Sequence, residues 1–373
     1  MRIMFVIPSM NNGGSERVVA NLCNYWCKDN DVRIVAIASK KSFYKLDKRV
    51  ELCGQELEIK RKNIFTTLGC YAKYFLKSLR FLKKNIQEFN PDCIISFLAE
   101  TDILTFLATR KTRDIIKIFS ERNDPTKRGA LRRMVLNKIY KTADLFVCQS
   151  KKVYDYYDFI SKNKKIIIPN PLNVKNLPAS VDEQNHNIVA VGRLCRQKNF
   201  QLLIDSYILS IDKLPKDCNL IIYGDGPMKK EIENRIKEKG MIGRIVLAGK
   251  SDEVLKKIRG CALFVMSSDY EGFPNALLEA MAVGLPVIST DFFTGVARDL
   301  IGRENGIVVP VGDVSKMSEA IVDIMSDKKD MVIMRKRNSL VRKKYDIDKI
   351  APMWTESISL ILTKERCENG SFC

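Results

Sequence analysis

Short apolar runs of strand length alternate along this chain with longer stretches whose apolar residues recur three and four apart. Residues 3–7 form the first run, residues 16–27 the first helical stretch, and residues 32–38 the second run. Further runs stand at residues 93–97, 115–120 and 144–149, with a helical stretch at residues 102–109. Pro169-Asn-Pro171 and the polar stretch that continues to Asn187 interrupt the alternation and read as a hinge. It then restarts, with runs at residues 188–191, 220–223, 245–248, 263–266, 286–289 and 305–309. Helical stretches lie among them at residues 200–210, 228–238 and 252–258, from Asn275 onward, and at residues 314–325. Such switching of period predicts parallel strands joined by crossover helices, hence the α/β class with two doubly wound, Rossmann-like domains. The expected bounds are residues 1–168 and 169–345, with a tail at 346–373 whose segment around Trp354 has helical spacing. Doubly wound sheets bind ligands beyond the carboxyl ends of their strands, so the loops leaving these runs are where chemistry is sought.

At 373 residues, with 46% apolar and 29% charged residues, the chain can bury a core in each domain. No window approaches the roughly 18 apolar residues of a membrane span, and Met1 leads straight into the first run, so a cytoplasmic location is expected. The 11 cysteines are scattered without a Cys-x-x-Cys pair; Cys23 and Cys27 read as buried small hydrophobes on the first helical stretch. His186 is the sole histidine, which argues against a Ser-His-Asp triad and excludes a multi-histidine metal cluster; a solvated linker position is expected for it. The net charge of +19 divides unevenly, +17 over residues 1–180 and +2 over residues 181–373. A field of that sign on the first half favours an anionic partner: nucleic acid, an anionic membrane surface or a pyrophosphate.

The densest chemistry lies in Glu271-Gly-Phe-Pro-Asn-Ala-Leu-Leu-Glu279, where two carboxylates flank a Gly-Phe-Pro loop opening a helix. Pro274 suits the first helical position, and the backbone N–H groups near Gly272, Phe273, Pro274 and Asn275 form an N-terminal anion site suited to a nucleotide diphosphate. Each carboxylate can accept hydrogen bonds from two neighbouring hydroxyls, as a sugar or a ribose offers them. Acidic residues near helix starts also serve the dipole alone, and from spacing the two roles are evenly balanced. Arg193 and Lys198 follow the run at residues 188–191 and can neutralise an anionic leaving group, although Arg196 is equally basic and a solvated basic loop is the alternative. Gly13 and Gly14, where the first strand turns into the first helix, favour close approach of a phosphate or sugar, and Gly224-Asp-Gly226 reads as a turn that also shapes the cleft. The dinucleotide fingerprint Gly-x-Gly-x-x-Gly is absent, and Gly249-Lys-Ser251 copies only the end of a P-loop, with Arg244 in place of the leading glycine. Two Asp-x-Asp triplets, Asp29-Asn-Asp31 and Asp346-Ile-Asp348, follow no strand's carboxyl end, so turn and helix-start roles are expected and no metal.

Four segments in order resemble signatures of the retaining glycosyltransferases of family 4: Asn11-Asn-Gly-Gly-Ser-Glu16, Gly192-Arg-Leu-Cys-Arg-Gln-Lys198-Asn, Tyr223-Gly-Asp-Gly-Pro227 and the paired-glutamate segment. The resemblance implies the GT-B fold, in which an N-terminal acceptor domain and a C-terminal nucleotide-sugar domain face a cleft and the last helix crosses back to the first domain. It implies metal-independent transfer of a hexose or N-acetylhexosamine from a nucleotide sugar, taken as UDP-linked, with retention and without a cofactor. Glu271, Arg193 and Lys198 become the catalytic set, with Glu271 on the donor sugar and both cations on the diphosphate. Glu279 takes the ribose, Gly249 and Lys250 the base, and Gly13, Gly14, Gly272, Phe273, Pro274 and Asn275 the rest of the donor. Many relatives carry a histidine in the first domain; the matching stretch here is Phe119-Ser-Glu121-Arg122-Asn-Asp124-Pro, so either Glu121 or Arg122 meets the sugar or acceptor, or that work is not needed.

The segment from Arg128 to Lys141 sets Leu131, Met134, Val135 and Ile139 on one helical face flanked by cations, and residues 74–84 repeat the pattern. Such a face packs in a core or lies on an anionic membrane. With the charge imbalance, peripheral contact with the inner face of the cell membrane is expected, Arg128, Arg132 and Arg133 meeting the membrane or the pyrophosphate of a lipid-pyrophosphate-linked glycan acceptor. Bacterial surface-polysaccharide assembly, including O-antigen, is the setting this suggests, with no nucleic-acid partner. The alternatives are a nucleotide-sugar epimerase of the same fold and, in a different class, a basic nucleic-acid-binding protein.

Overall fold

The computed structural model describes residues 1–56, 64–112, 114–179 and 185–368. The chain forms two compact units, Met1–Pro171 with Ile347–Cys373, and Leu172–Asp346. The first contains β1 (Arg2–Ile7), α1 (Gly14–Trp26), β2 (Asp31–Ala36), β3 (Val50–Gly54), α2 (Ile64–Phe89), β4 (Cys93–Phe97), α3 (Ala99–Thr109), β5 (Ile116–Ser120), α4 (Ala130–Tyr140), β6 (Leu145–Cys148), α5 (Lys151–Tyr156) and β7 (Lys165–Ile167). Its strands pair in parallel in the order β3-β2-β1-β4-β5-β6-β7, so the winding reverses between β1 and β4. Helices on both faces leave the inner strands no solvent, which is why Ile3, Met4, Phe5, Val6 and Ile7 are all fully buried and read as one unbroken apolar run. The edge strands β3 and β7 escaped the sequence reading because Glu51 and Lys165 dilute them. Two helices start earlier than expected, α1 at Gly14 and α3 at Ala99, the latter directly after Leu98 turns the chain with φ 78°.

The second unit contains β8 (Ile188–Val191), α6 (Phe200–Ser210), β9 (Leu220–Tyr223), α7 (Lys229–Glu238), β10 (Ile245–Gly249), α8 (Val254–Ile258), β11 (Leu263–Met266), α9 (Asn275–Ala282), β12 (Val287–Thr290), α10 (Val296–Leu300), β13 (Gly306–Val309), α11 (Val314–Ser326), α12 (Lys328–Ser339) and α13 (Val341–Lys344). This sheet is also parallel, in the order β10-β9-β8-β11-β12-β13, and its winding reverses between β8 and β11. The loops after β8 and β11 therefore flank the crevice where a sheet of this kind takes its ligand.

The last helix, α14 (Ile347–Glu368), belongs to the first unit. Ile350, Ala351, Trp354 and Ile358 join Phe5, Trp26 and Phe97 in one buried cluster, with Trp354 6.3 Å from Trp26 and 6.1 Å from Phe97 between ring centroids. Cys23 and Cys27 are buried free thiols. His186 is not merely solvated: its Nδ1 lies 2.8 Å from Asp217 Oδ1 in an exposed pair. Among the described residues, no helix is long and apolar enough to cross a membrane.

Candidate active site

In the second unit, the loops leaving β8, β9 and β10 are laced to one another beyond the strand ends. Gly192 N–H donates to Tyr223 O at 3.0 Å, Leu194 N–H to Asp225 O at 3.0 Å, and Gly224 N–H to Gly249 O at 2.8 Å. This closeness requires glycine at 224, where φ is 148° and a Cβ would lie 1.8 Å from Gly192 O. Gly192 in turn leaves space for the stem of Lys198, whose carbons would lie 3.3 Å from an added Cβ.

Lys198 Nζ stands 2.6 Å from Glu271 Oε1, joining the two loops that flank the switch point. Both side chains are largely buried, 18% and 9% exposed, so the pair is shielded from the screening that weakens surface ion pairs. Four further bonds zip the same loops. Gln197 Nε2 donates to Tyr270 O at 2.8 Å, Asp269 N–H to Gln197 O at 2.8 Å, Asn199 Nδ2 to Asp269 Oδ1 at 2.7 Å and Ser267 Oγ to Lys198 O at 2.9 Å. Asn199, in the left-handed region at φ 43°, also caps α6 by accepting from Leu202 N–H at 3.2 Å. Thr294 Oγ1 donates to Glu271 O at 3.1 Å, fixing the backbone of the carboxylate from a third loop.

The glutamate segment departs from expectation at its helix start. Pro274 is the N-cap, with φ −81° and ψ 82°, and the first helical residue is Asn275, whose N–H donates to Phe273 O at 3.0 Å. The Phe273 ring packs into the core, edge-on to Tyr345 at 6.2 Å, so its side chain serves packing. Glu279 is half-buried on α9, in the second turn. Arg193 is exposed, as is Lys250, which pairs with Asp225 at 3.6 Å beside Gly249.

In the first unit, the expected donor contact at Gly13 meets a protein carboxylate. Gly13 caps α1, and a Cβ there would sit 2.2 Å from Glu16 Oε2, so the missing side chain admits Glu16 folded back over the helix start. Burial raises the pKa of Glu16, offset in part by its backbone N–H and the Ser9 hydroxyl. Gly14 is exposed and is the first residue of α1.

Glu121 and Arg122 separate into different roles. Glu121 is 2% exposed and fully engaged: Oε1 accepts from Arg122 N–H at 3.0 Å, Asn123 N–H at 3.0 Å and Arg128 Nη2 at 2.6 Å, and Oε2 accepts from Tyr157 OH at 2.5 Å. Arg128, expected at a membrane or pyrophosphate, is instead this carboxylate's buried partner, and its side chain is 10% exposed. A segment that reads as a solvated cation run thus spends its first arginine indoors, because a buried carboxylate needs a matching charge. Arg122 is buried over the Phe97 ring, 3.7 Å from its centroid, and Nη1 donates to Asn170 Oδ1 at 2.7 Å. Its Nε and Nη2 are buried with no acceptor among the described residues, and burial lowers the pKa to about 9.

Residues 12–176 match the sequence profile described as Glycosyltransferase Family 4, and residues 178–341 match that of Glycosyl transferases group 1. This chain belongs to the family 4 glycosyltransferases. A Campylobacter jejuni GalNAc-alpha-(1->4)-GalNAc-alpha-(1->3)-diNAcBac-PP-undecaprenol alpha-1,4-N-acetyl-D-galactosaminyltransferase is 26% identical over 96% of this chain and 98% of its own. A second C. jejuni protein, an N-acetylgalactosamine-N,N'-diacetylbacillosaminyl-diphospho-undecaprenol 4-alpha-N-acetylgalactosaminyltransferase, is 27% identical over 92% and 96%. Among solved structures, HepE from Anabaena in complex with UDP superposes with a TM-score of 0.77 at 16% identity, covering 96% of this chain and 100% of that one. The GT-B fold is thereby established and the enzyme is a glycosyltransferase, which removes the epimerase alternative.

Within this glycosyltransferase, the fold draws Lys198 and Glu271 together from residues 73 positions apart. Asp269, Asn199, Gln197 and Thr294, which support that pair, went unrecognised because each reads as an ordinary polar loop residue. Arg132 and Arg133 are exposed on α4. Their helix does not keep its four apolar residues together: Ile139 turns inward, while Leu131, Met134 and Val135 are 72%, 53% and 38% exposed.

Proposed function

We propose that this glycosyltransferase moves a hexose or N-acetylhexosamine, with retention, from a UDP-linked sugar to a lipid-pyrophosphate-linked glycan on the inner face of the membrane. The Lys198–Glu271 contact of 2.6 Å carries the reading for the donor. An ammonium has three N–H donors, so Lys198 can hold Glu271 with one and offer the others to a diphosphate oxygen. As the leaving group gains charge in the transition state, this cation and the exposed Arg193 stabilise it. Glu271 then accepts from the sugar hydroxyls, Glu279 from the ribose, and Gly249 with Lys250 meets the base. This chemistry needs no metal ion. Arg122, whose Nε and Nη2 have no acceptor among the described residues, supplies the sugar or acceptor contact that Glu121 cannot.

The acceptor reading rests on the exposed Leu131, Met134 and Val135 beside Arg132 and Arg133, an apolar and cationic face suited to an anionic bilayer. The named activities of the C. jejuni relatives support the lipid-linked acceptor. Calorimetric titration with UDP and a transfer assay on undecaprenyl-pyrophosphate glycans with candidate UDP-sugars test the whole. Glu271→Gln is expected to lower turnover at least a hundredfold with UDP affinity nearly unchanged, whereas Glu279→Ala weakens UDP binding about tenfold, the scale of one lost charged hydrogen bond. Near-normal turnover in both variants would make the carboxylates structural.

A further inference from the structure

The buried side of α12 is partly polar. Met331 and Met334 enter the core of the second unit, but Arg335 and Asn338 are buried alongside them. Asn338 Nδ2 donates to Leu285 O at 2.7 Å and Asn305 O at 2.8 Å, and Arg335 Nη2 donates to Cys261 O. These carbonyls stand just before β12, β13 and β11, so the helix is pinned across the amino ends of three strands. The loops that hold Lys198 and Glu271 leave from the opposite end of the sheet.

Pinning by polar groups leaves apolar residues outside. Val332 and Ile333 on the outward side of α12 are 49% and 48% exposed, and Leu340 at its C-cap is 53% exposed. With Met331 and Met334 beneath and Val332 and Ile333 above, α12 carries apolar residues on both sides while only one side is covered. Charge identifies the partner's sign. Residues 328–344 contain eight Lys or Arg and one acid, whereas the rest of Leu172–Asp346 sums to −3. Lys328, Lys329, Lys336, Lys343 and Lys344 are exposed around these apolar residues, and Arg337 is shared with Glu304 at 3.0 Å.

We propose that this face of the second unit docks on an anionic phospholipid bilayer. Val332, Ile333 and Leu340 enter the headgroup boundary while the lysines snorkel to the phosphates around them. A second copy of the chain fits poorly, because a two-fold contact would set this cationic segment against itself. Docking at the amino ends of the strands leaves the donor loops open. The surface is separate from the α4 face and extends the membrane reading to the unit whose overall charge gives no sign of it.

The test is co-sedimentation of the full-length chain with phosphatidylcholine vesicles, with and without phosphatidylglycerol at one lipid in three. The wild type is expected to bind the anionic vesicles alone, less so as salt rises. Lys336→Gln with Lys343→Gln should lower the partition about 25-fold, each cation near the surface being worth roughly a factor of five. Val332→Ser with Ile333→Ser should lower it about tenfold, an effect of lost apolar burial. Both double variants should keep the wild-type thermal midpoint and its shift with UDP. The companion is Leu131→Ser with Met134→Ser on α4. Loss of binding in that variant alone, with both α12 variants binding as wild type, would overturn this inference and leave the α4 reading standing; loss in the α12 variants alone would do the reverse. Absence of wild-type binding would sink both. A dimer that Val332→Ser with Ile333→Ser converts to monomer, with vesicle binding unchanged, would assign the face to a second copy and overturn the inference.

Discussion

Two buried acids in the first unit solve the same problem in opposite ways. Glu121 is matched by Arg128 and Tyr157, whereas the partners of Asp102 among the described residues are the hydroxyls of Ser96 at 2.7 Å and Tyr140 at 2.8 Å. Burial accordingly pushes the Asp102 pKa from 3.8 up to about 8. A raised acid favours folding while it holds its proton, so its contribution is complete below the unfolded value near 3.8 and is lost as pH rises through about 8. Asp102→Asn should therefore flatten the fall of the thermal midpoint over that window, gaining up to about 6 kcal/mol over wild type on its alkaline side, at about 1.4 kcal/mol per pKa unit. Parallel melting profiles across the window would refute the assignment. The family resemblance singled out Glu121 and Arg122 but left open which of the two does the work. Glu121 is neutralised by an arginine seven residues on, across a turn at Pro125 that has no periodic signature. Asp102 was invisible for a related reason: an acid in the first turn of a helix reads as a dipole partner until its burial is known.

At the scale of elements, the strands buried on both faces were readable and those at the edges were not. An inner parallel strand such as β4, Cys-Ile-Ile-Ser-Phe, carries its burial in its composition; β7, with a lysine at its start, needs β6 beside it to exist. The apolar spacing of α4 gave the helix correctly but not its rotation, since Leu136 and Tyr140 also lie inward and outcompete Leu131 and Met134 for the core. The donor loops were legible as motifs and illegible as a lattice. Gly224 reads in the sequence as part of a turn that shapes the cleft, and its missing Cβ lets three loops share backbone hydrogen bonds around the stem of Lys198. Gly224→Ala should destabilise the second unit by about 2 kcal/mol or more through clash and strain. It should also weaken UDP binding severalfold in calorimetric titration. A variant with an unchanged melting midpoint and unchanged UDP affinity would mean the loops tolerate being pried apart.

For the whole molecule, the governing fact is that the first unit is discontinuous in sequence. Its core is completed by Ile350, Trp354 and Ile358 from α14, after the second unit has been threaded through. Trp354→Ala should cost about 3–5 kcal/mol, the range for a buried aromatic. The loss should fall on the first unit: in chemical denaturation its transition moves to lower denaturant, while the UDP-induced shift of the contiguous second unit persists. A uniform shift of both transitions would contradict that independence. The same threading has a consequence during translation. The ribosome delivers all of Leu172–Asp346 before the residues that cover Trp26 and Phe97, so the second unit can close first. Until the final helix leaves the exit tunnel, the nascent chain carries an uncovered aromatic seam, a natural client surface for holding chaperones. A premature stop shortly before Trp354 would spare the later-made unit and deprive the earlier-made one of its last core layer.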